Sequence, residues 1–143
     1  MALASVRRVV VSEEVALGAA QVWSVIGDFF GMKAWAPAVE SEERQVEGDA
    51  EYRVLTLRDG QRFKERLLER GDYFYTYTLP RPGMSGYRST VRAAPVADDQ
   101  ARIELDISFA PQPGADAEAL EAGLRTFCAQ NLKAMKRALT PRG

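Results

Sequence analysis

The stretch from residue 116 to 139 constrains this chain more than any other. Pro111, Pro113 and Gly114 break whatever precedes it, and the Asp116 carboxylate can accept from the free amides of a first helical turn. Glu118 and Glu121 suit the positive end of a helix dipole, and Arg125, Lys133, Lys136 and Arg137 lie toward the negative end. Leu120, Leu124, Phe127, Cys128, Asn131, Leu132, Met135 and Leu139 recur at steps of three and four, one apolar stripe with a single amide in it. Such a rod is about 36 Å long. Only a sheet is large enough to cover its stripe.

The residues upstream supply one. Residues 6–15 read as a valine-rich first strand. Residues 19–29 read as a short helix with Val22, Trp23, Ile26 and Phe30 at helical spacing, stopped by Gly31, and residues 32–35 as a second helical turn ended by Pro37. Six further strands are predicted at 38–46, 52–58, 61–69, 73–79, 87–96 and 101–109. Turn signals separate them at Gly48-Asp49, Asp59-Gly60, Gly71-Asp72, Pro80 to Gly83, and Asp98-Asp99. No internal repeat or linker divides the chain, so a single domain over 1–143 is expected. The fold class is α+β: a seven-stranded antiparallel sheet, two short helices after the first strand, and a long C-terminal helix. A sheet of this size curls, and a curled sheet over a straight rod leaves space at its centre.

The 143 residues contain no histidine. That excludes Ser-His-Asp and Cys-His catalysis and histidine metal sites, and leaves Asp, Glu, Lys, Tyr or Arg-assisted water for any proton transfer. No metal site and no cofactor motif is read from the sequence, neither a glycine-rich phosphate loop nor an acidic cluster at ligand spacing. A net charge of −1 gives no ground for nucleic-acid binding. The N-terminal apolar run is too short for a signal peptide or membrane span, and a cytoplasmic location is the default. The lone Cys128 reads as a small core residue.

Strand alternation nominates the side chains facing the central space. Ile103, Leu105, Ile107 and Phe109 share one face of the last strand. Arg62, Lys64 and Arg66 belong in water, which turns Phe63, Glu65 and Leu67 inward. An inward carboxylate is costly unless paired or hydrated. Arg53 is the obvious partner. A three-residue Asp59-Gly60-Gln61 loop sets Leu55 opposite Glu65 with Arg53, Leu55 and Leu57 inward; a second register turns Tyr52, Val54 and Thr56 inward instead. The first is favoured, and nothing in the sequence excludes the second. Tyr75, Tyr77, Tyr87 and Ser89 line the following strands, and Leu124, Phe127, Asn131 and Met135 look down from the helix. Asn131 is either a cavity donor or a satisfied core amide. Apolar walls with a few convergent polar groups describe a pocket for a small hydrophobic molecule carrying an oxygen function.

The order of several loose motifs is familiar. Trp23, Asp28-Phe29 and Trp35-Ala36-Pro37, then Glu65-Arg66-Leu67, the tyrosines at 75 and 77, Leu79-Pro80 and Gly86-Tyr87-Arg88-Ser89 resemble the START-like, Bet v 1-like superfamily (SRPBCC), and within it the polyketide cyclase/dehydratase-like branch. The resemblance covers nearly the whole chain and implies a helix-grip fold with a cavity between sheet and helix. Plant abscisic-acid receptors are more distantly similar, and there the ligand is held through groups matching Glu65, Tyr87 and Ser89. The short Asp59-Gly60 turn lacks their Ser-Gly-Leu-Pro gate, so gated hormone sensing is not implied.

Two functions follow as expectations. The first is binding or carrying a small hydrophobic ligand, such as a lipid or polyketide, by a monomer or homodimer. Its site would comprise Trp35, Arg53, Leu55, Phe63, Glu65, Leu67, Tyr75, Tyr77, Tyr87, Ser89, Leu105, Phe127 and Asn131. The second is a cyclase or dehydratase in which Glu65, with a tyrosine or Arg53, moves protons on a polyketide-like chain.

Overall fold

The computed structural model describes residues 5–140, so the two ends of the expected 1–143 unit lie outside the described residues. Strand β1 (Arg7–Val15) leads into helix α1 (Ala19–Ile26) and a 3-10 turn (Met32–Ala34). Six strands follow: β2 (Val39–Glu47), β3 (Ala50–Leu57), β4 (Arg62–Gly71), β5 (Phe74–Thr78), β6 (Met84–Ala97) and β7 (Gln100–Pro111). Helix α2 (Ala117–Leu139) closes the chain. The strands form one curved antiparallel sheet in the order β1-β7-β6-β5-β4-β3-β2, the helix-grip arrangement. Consecutive strands β1 and β2 therefore lie at opposite edges, and α1 with the 3-10 turn bridges them.

Each element follows from local chemistry. The Asp116 carboxylate accepts from the Ala119 amide at 3.1 Å and starts α2. Leu124, Cys128 and Leu132, spaced by four, and Met135 are its buried face. That face rests on β1, β7 and α1, and an exposed Lys136–Glu13 ion pair ties it to β1. In β7, Ile103, Leu105, Ile107 and Phe109 are all buried while their neighbours Arg102, Glu104, Asp106 and Ser108 are not. Register shifts at 39–41, 67–69, 85–88 and 95–97 interrupt three of the ladders, and such bulges bend a sheet.

Several local expectations are corrected. Helix α1 stops at Ile26, three residues early, because Gly27 caps it: the Gly27 amide donates to Trp23 O at 2.9 Å. A Cβ at Gly27 would sit 2.4 Å from the Trp23 ring. Asp28 then turns the chain by accepting from the Phe30 amide at 2.9 Å. The turn expected at Gly71-Asp72 falls one residue later, with Tyr73 in the left-handed region (φ 65°) and Gly71 paired to Phe74. Strand β6 begins at Met84, before Tyr87, because a bulge at 85–88 lets its first residues still pair with β7.

The β3–β4 turn also departs in detail. Leu57 N donates to Gln61 O at 2.8 Å and Gly60 N to Leu57 O at 2.9 Å, with Gly60 at φ 90°. The loop is thus 58–60, not 59–61. Arg53 faces Glu65 directly and Leu55 faces Phe63, a register two residues from the one expected, with the inward parity of Arg53 and Leu55 kept. Leu57 is only half-buried, and Val54, of the opposite parity, is covered as well.

If the Asp116 cap sets the start of α2, Asp116→Ala should cost about 1 kcal/mol. Urea unfolding should show a lower midpoint at unchanged slope. An unaltered midpoint would mean that packing alone fixes the helix start.

Candidate functional site

The concave face carries one buried ion pair. Arg53 is 1% exposed and Glu65 6%, and Arg53 Nε donates to Glu65 Oε1 at 2.6 Å. A second guanidinium nitrogen donates to Phe29 O at 2.9 Å, which ties the α1 insert to the sheet. Aromatic rings enclose the guanidinium: its carbon lies 4.2 Å from the Phe29 ring centroid, 4.8 Å from Tyr77 and 5.6 Å from Tyr75. Phe29 meets Tyr75 edge-on at 5.3 Å and Phe30 edge-on at 5.1 Å, and Trp23 lies 5.8 Å from Tyr75. Burial works against the Arg53 charge, but the Glu65 carboxylate together with the Tyr75 and Tyr77 oxygens outweighs it and the pKa is raised. The arginine is a fixed cation in an apolar shell.

These rings fill the half of the concave face that α2 does not cover. What remains is a central hollow of about 10 Å³, room for roughly one water molecule. The expectation of open space under a bent sheet is thus met only in residual form, because Phe29, Tyr75 and Tyr77 close over Arg53. Of the thirteen nominated residues, Trp35, Arg53, Tyr75, Tyr77, Ser89, Leu105, Phe127 and Asn131 line the hollow. Leu55, Phe63, Glu65, Leu67 and Tyr87 do not. Glu65 is turned inward yet held by Arg53, Leu55 is deep in the core, and Phe63 and Leu67 are half-buried at the edge of the apolar cluster. Met32, Val91, Ile107, Cys128 and Met135 also line the hollow. All but Met32 were legible as inward by alternation or helical spacing; Met32 is placed there by the 3-10 turn.

Two polar atoms at this hollow have no hydrogen-bond partner among the described residues, Trp35 Nε1 and Tyr75 Oη, and both are buried. Buried polar atoms are rarely left so, and each such exception calls for an explanation. Burial raises the Tyr75 pKa against the opposing pull of Arg53; it raises Tyr77 well above the ordinary value, helped by Glu65; and it raises Tyr87 against Arg81. Burial likewise pushes the Cys128 thiol up to about 11, an inert wall at neutral pH. The site therefore offers neutral donors beside a permanent cation.

A wider cleft of about 290 Å³ lies outside, between residues 36–38 and the α2 residues Gln130, Lys133, Ala134 and Arg137. Asn131 belongs to the walls of both spaces. At the far end of the hollow, Arg81 from the β5–β6 loop lies 5.2 Å from the Phe127 ring centroid and 5.1 Å from that of Tyr87. No described helix is long and apolar enough to cross a membrane.

A phenol whose pKa is raised by folding stabilises the fold below its ordinary value near 10, and that stabilisation is lost as pH climbs above it. Phenolate absorbance from Tyr75, Tyr77 and Tyr87 should therefore appear only together with loss of the folded circular dichroism signal above about pH 10. A phenolate step in still-folded protein that disappears in Tyr75→Phe or Tyr77→Phe would contradict this environment.

The fold is shared with solved proteins. An uncharacterised protein from Bacillus thuringiensis superposes with a TM-score of 0.78 at 28% identity, over 93% of this chain and 98% of that one. XoxI from Bacillus cereus does so with a TM-score of 0.77 at 27% identity, over 92% and 94%. The Zhui aromatase/cyclase from Streptomyces, at 18% identity and a TM-score of 0.68 over 94% and 92%, shares the fold. No curated protein sequence matches this one at a significant level. A family model described as polyketide cyclase / dehydrase and lipid transport matches residues 6–140, so the chain belongs to that family of the START-like, Bet v 1-like superfamily.

Proposed function

We propose that this protein binds a small hydrophobic molecule bearing a carbonyl or similar acceptor oxygen, in the hollow between the concave face and α2. The observation that carries the reading is the pair of buried, unpartnered donors, Trp35 Nε1 and Tyr75 Oη, on otherwise apolar walls. An acceptor oxygen placed between them would relieve both, and Leu105, Ile107, Phe127 and Met135 would cover the hydrocarbon around it.

At about 10 Å³ the hollow admits such a ligand only if a wall moves. The sheet side is fixed by ladders and by the Arg53 cage, whereas Met32, Phe127 and Asn131 are only half-buried and stand on the 3-10 turn and α2. The outer cleft shares Asn131 with the hollow and supports entry from that side, with Phe127 and Met32 displaced toward solvent. Binding then selects an opened state of the grip.

Binding is favoured over proton transfer by the position of Glu65. Its Oε1 accepts from Arg53, and it is not part of the hollow's wall. A general acid or base must reach the proton it moves. Catalysis in the cyclase or dehydratase sense would require that pair to separate within its cage.

Titration with 2-acetylnaphthalene and with 2-ethylnaphthalene, which lacks the oxygen, tests the reading. Wild type should prefer the ketone. Trp35→Phe and Tyr75→Phe should each cut that preference by up to about tenfold, the worth of one hydrogen bond, and leave the hydrocarbon unaffected. A ketone preference unchanged in both variants would remove these two donors from ligand recognition.

A further inference from the structure

A groove of about 530 Å³ opens on the convex side of the sheet, with the buried Leu79 and Tyr87 among its lining residues, and among the described residues it shares no lining with the central hollow. We infer that this groove is a separate binding site for an organic acid: a carboxylate held by Arg66 and Lys64, with an apolar body lying along Pro80 and Met84.

The groove has a structural origin. Tyr52, Arg66 and Thr78 are direct cross-strand neighbours and form one row over β3, β4 and β5. Pairing between β5 and β6 ends at Tyr77–Ser89, and residues 79–83 then carry the chain away before β6 begins at Met84. The two strands diverge there, and a bulge at 85–88 bends β6 further. Thr78 Oγ1 donates to Tyr87 O across the gap, so its hydroxyl is already used. Gly86, in the left-handed region at φ 61°, contributes no side chain, and a Cβ there would meet nothing within 4 Å. The gap therefore stays open instead of filling from within.

Its chemistry is asymmetric. Among the described residues no acidic side chain lines it. Arg66 has no acidic partner within 4.0 Å among the described residues. Lys64 lies 4.5 Å from the Tyr52 ring centroid and pairs with Glu47 at 3.0 Å, both ends of that pair being about half exposed. An exposed pair of that kind contributes little and yields readily to a competing anion. Arg66 presents a planar fork suited to a carboxylate, and Lys64 adds a second charge beside it. At the other end Leu79, Pro80 and Met84 offer hydrocarbon. The volume falls within the range of roughly 300–1,000 Å³ usual for small-molecule sites. A charged end joined to an apolar end fits an amphiphilic acid, and a neutral lipid would leave both cations idle.

The experiment is a titration of the full chain with octanoate below its micellar concentration, read by amide shifts at Thr78 and Gly86 and the methyl shift of Met84. Octanol serves as the uncharged control. Octanoate should shift all three signals in wild type, and Lys64→Glu/Arg66→Glu should bind it at least tenfold more weakly. The octanol response should be the same in both proteins. Both substituted residues are exposed on the convex face, so the variant should fold, and its unchanged binding of 2-acetylnaphthalene would report the central hollow separately. Equal octanoate affinity in the variant would overturn the inference, as would shifts confined to the Tyr75 and Ser89 amides. Signals that respond only to phosphatidylglycerol vesicles and not to free octanoate would overturn it in favour of a membrane-facing surface.

Discussion

Everything inside this sheet is arranged around a buried charge. Removing a guanidinium and a carboxylate from water costs several kcal/mol per ion, and the attraction between them offsets this only with close geometry and satisfied hydrogen bonds. Arg53 meets that condition through Glu65, the Phe29 carbonyl and three aromatic faces. The contacts join β3 to β4 and both to the segment after α1. One side chain thus fixes the pairing of two strands and the seating of the insert that spans the open side of the sheet.

That arrangement also decides how much room the grip leaves. Helix α2 lies over β1 and β7, and the caged arginine fills the region over β3 to β5. A small hollow survives between them, bounded on one side by fixed rings and on the other by the half-buried Phe127 and Asn131 and the buried Cys128 and Met135 of α2. The same scaffold hosts binders and enzymes, so family membership alone leaves the activity open. The distinction here rests on two facts: the acid in the interior is already engaged, and two neutral donors are not.

Much of this was legible in the sequence because it follows from period and charge. The 116–139 stripe, the alternation from Ile103 to Phe109, and the basic triplet that forces Glu65 inward each specify a face without reference to distant contacts. Arg53 was identifiable as partner by the same parity. Its register was not, because the shift between Leu55–Glu65 and Arg53–Glu65 depends on whether Gly60 ends the loop or sits at its centre. Trp35 was nominated, yet its unpartnered indole nitrogen could not be read, since partners are set by packing. The size of the hollow depends on how Phe29 and Tyr77 stack, and the convex groove on a bulge and a strand divergence. Neither leaves a periodic trace.

The interior depends on Arg53 and Glu65 acting as one unit, and a double-mutant cycle of unfolding free energies measures that directly. Arg53→Met alone should cost about 3–5 kcal/mol, because it strands Glu65 without a partner. The double variant Arg53→Met/Glu65→Leu should be no less stable than the single one, with the two effects far from additive. Costs that simply add would mean that the two residues are buried side by side without depending on each other, and the interior would have to be held in place by its rings alone.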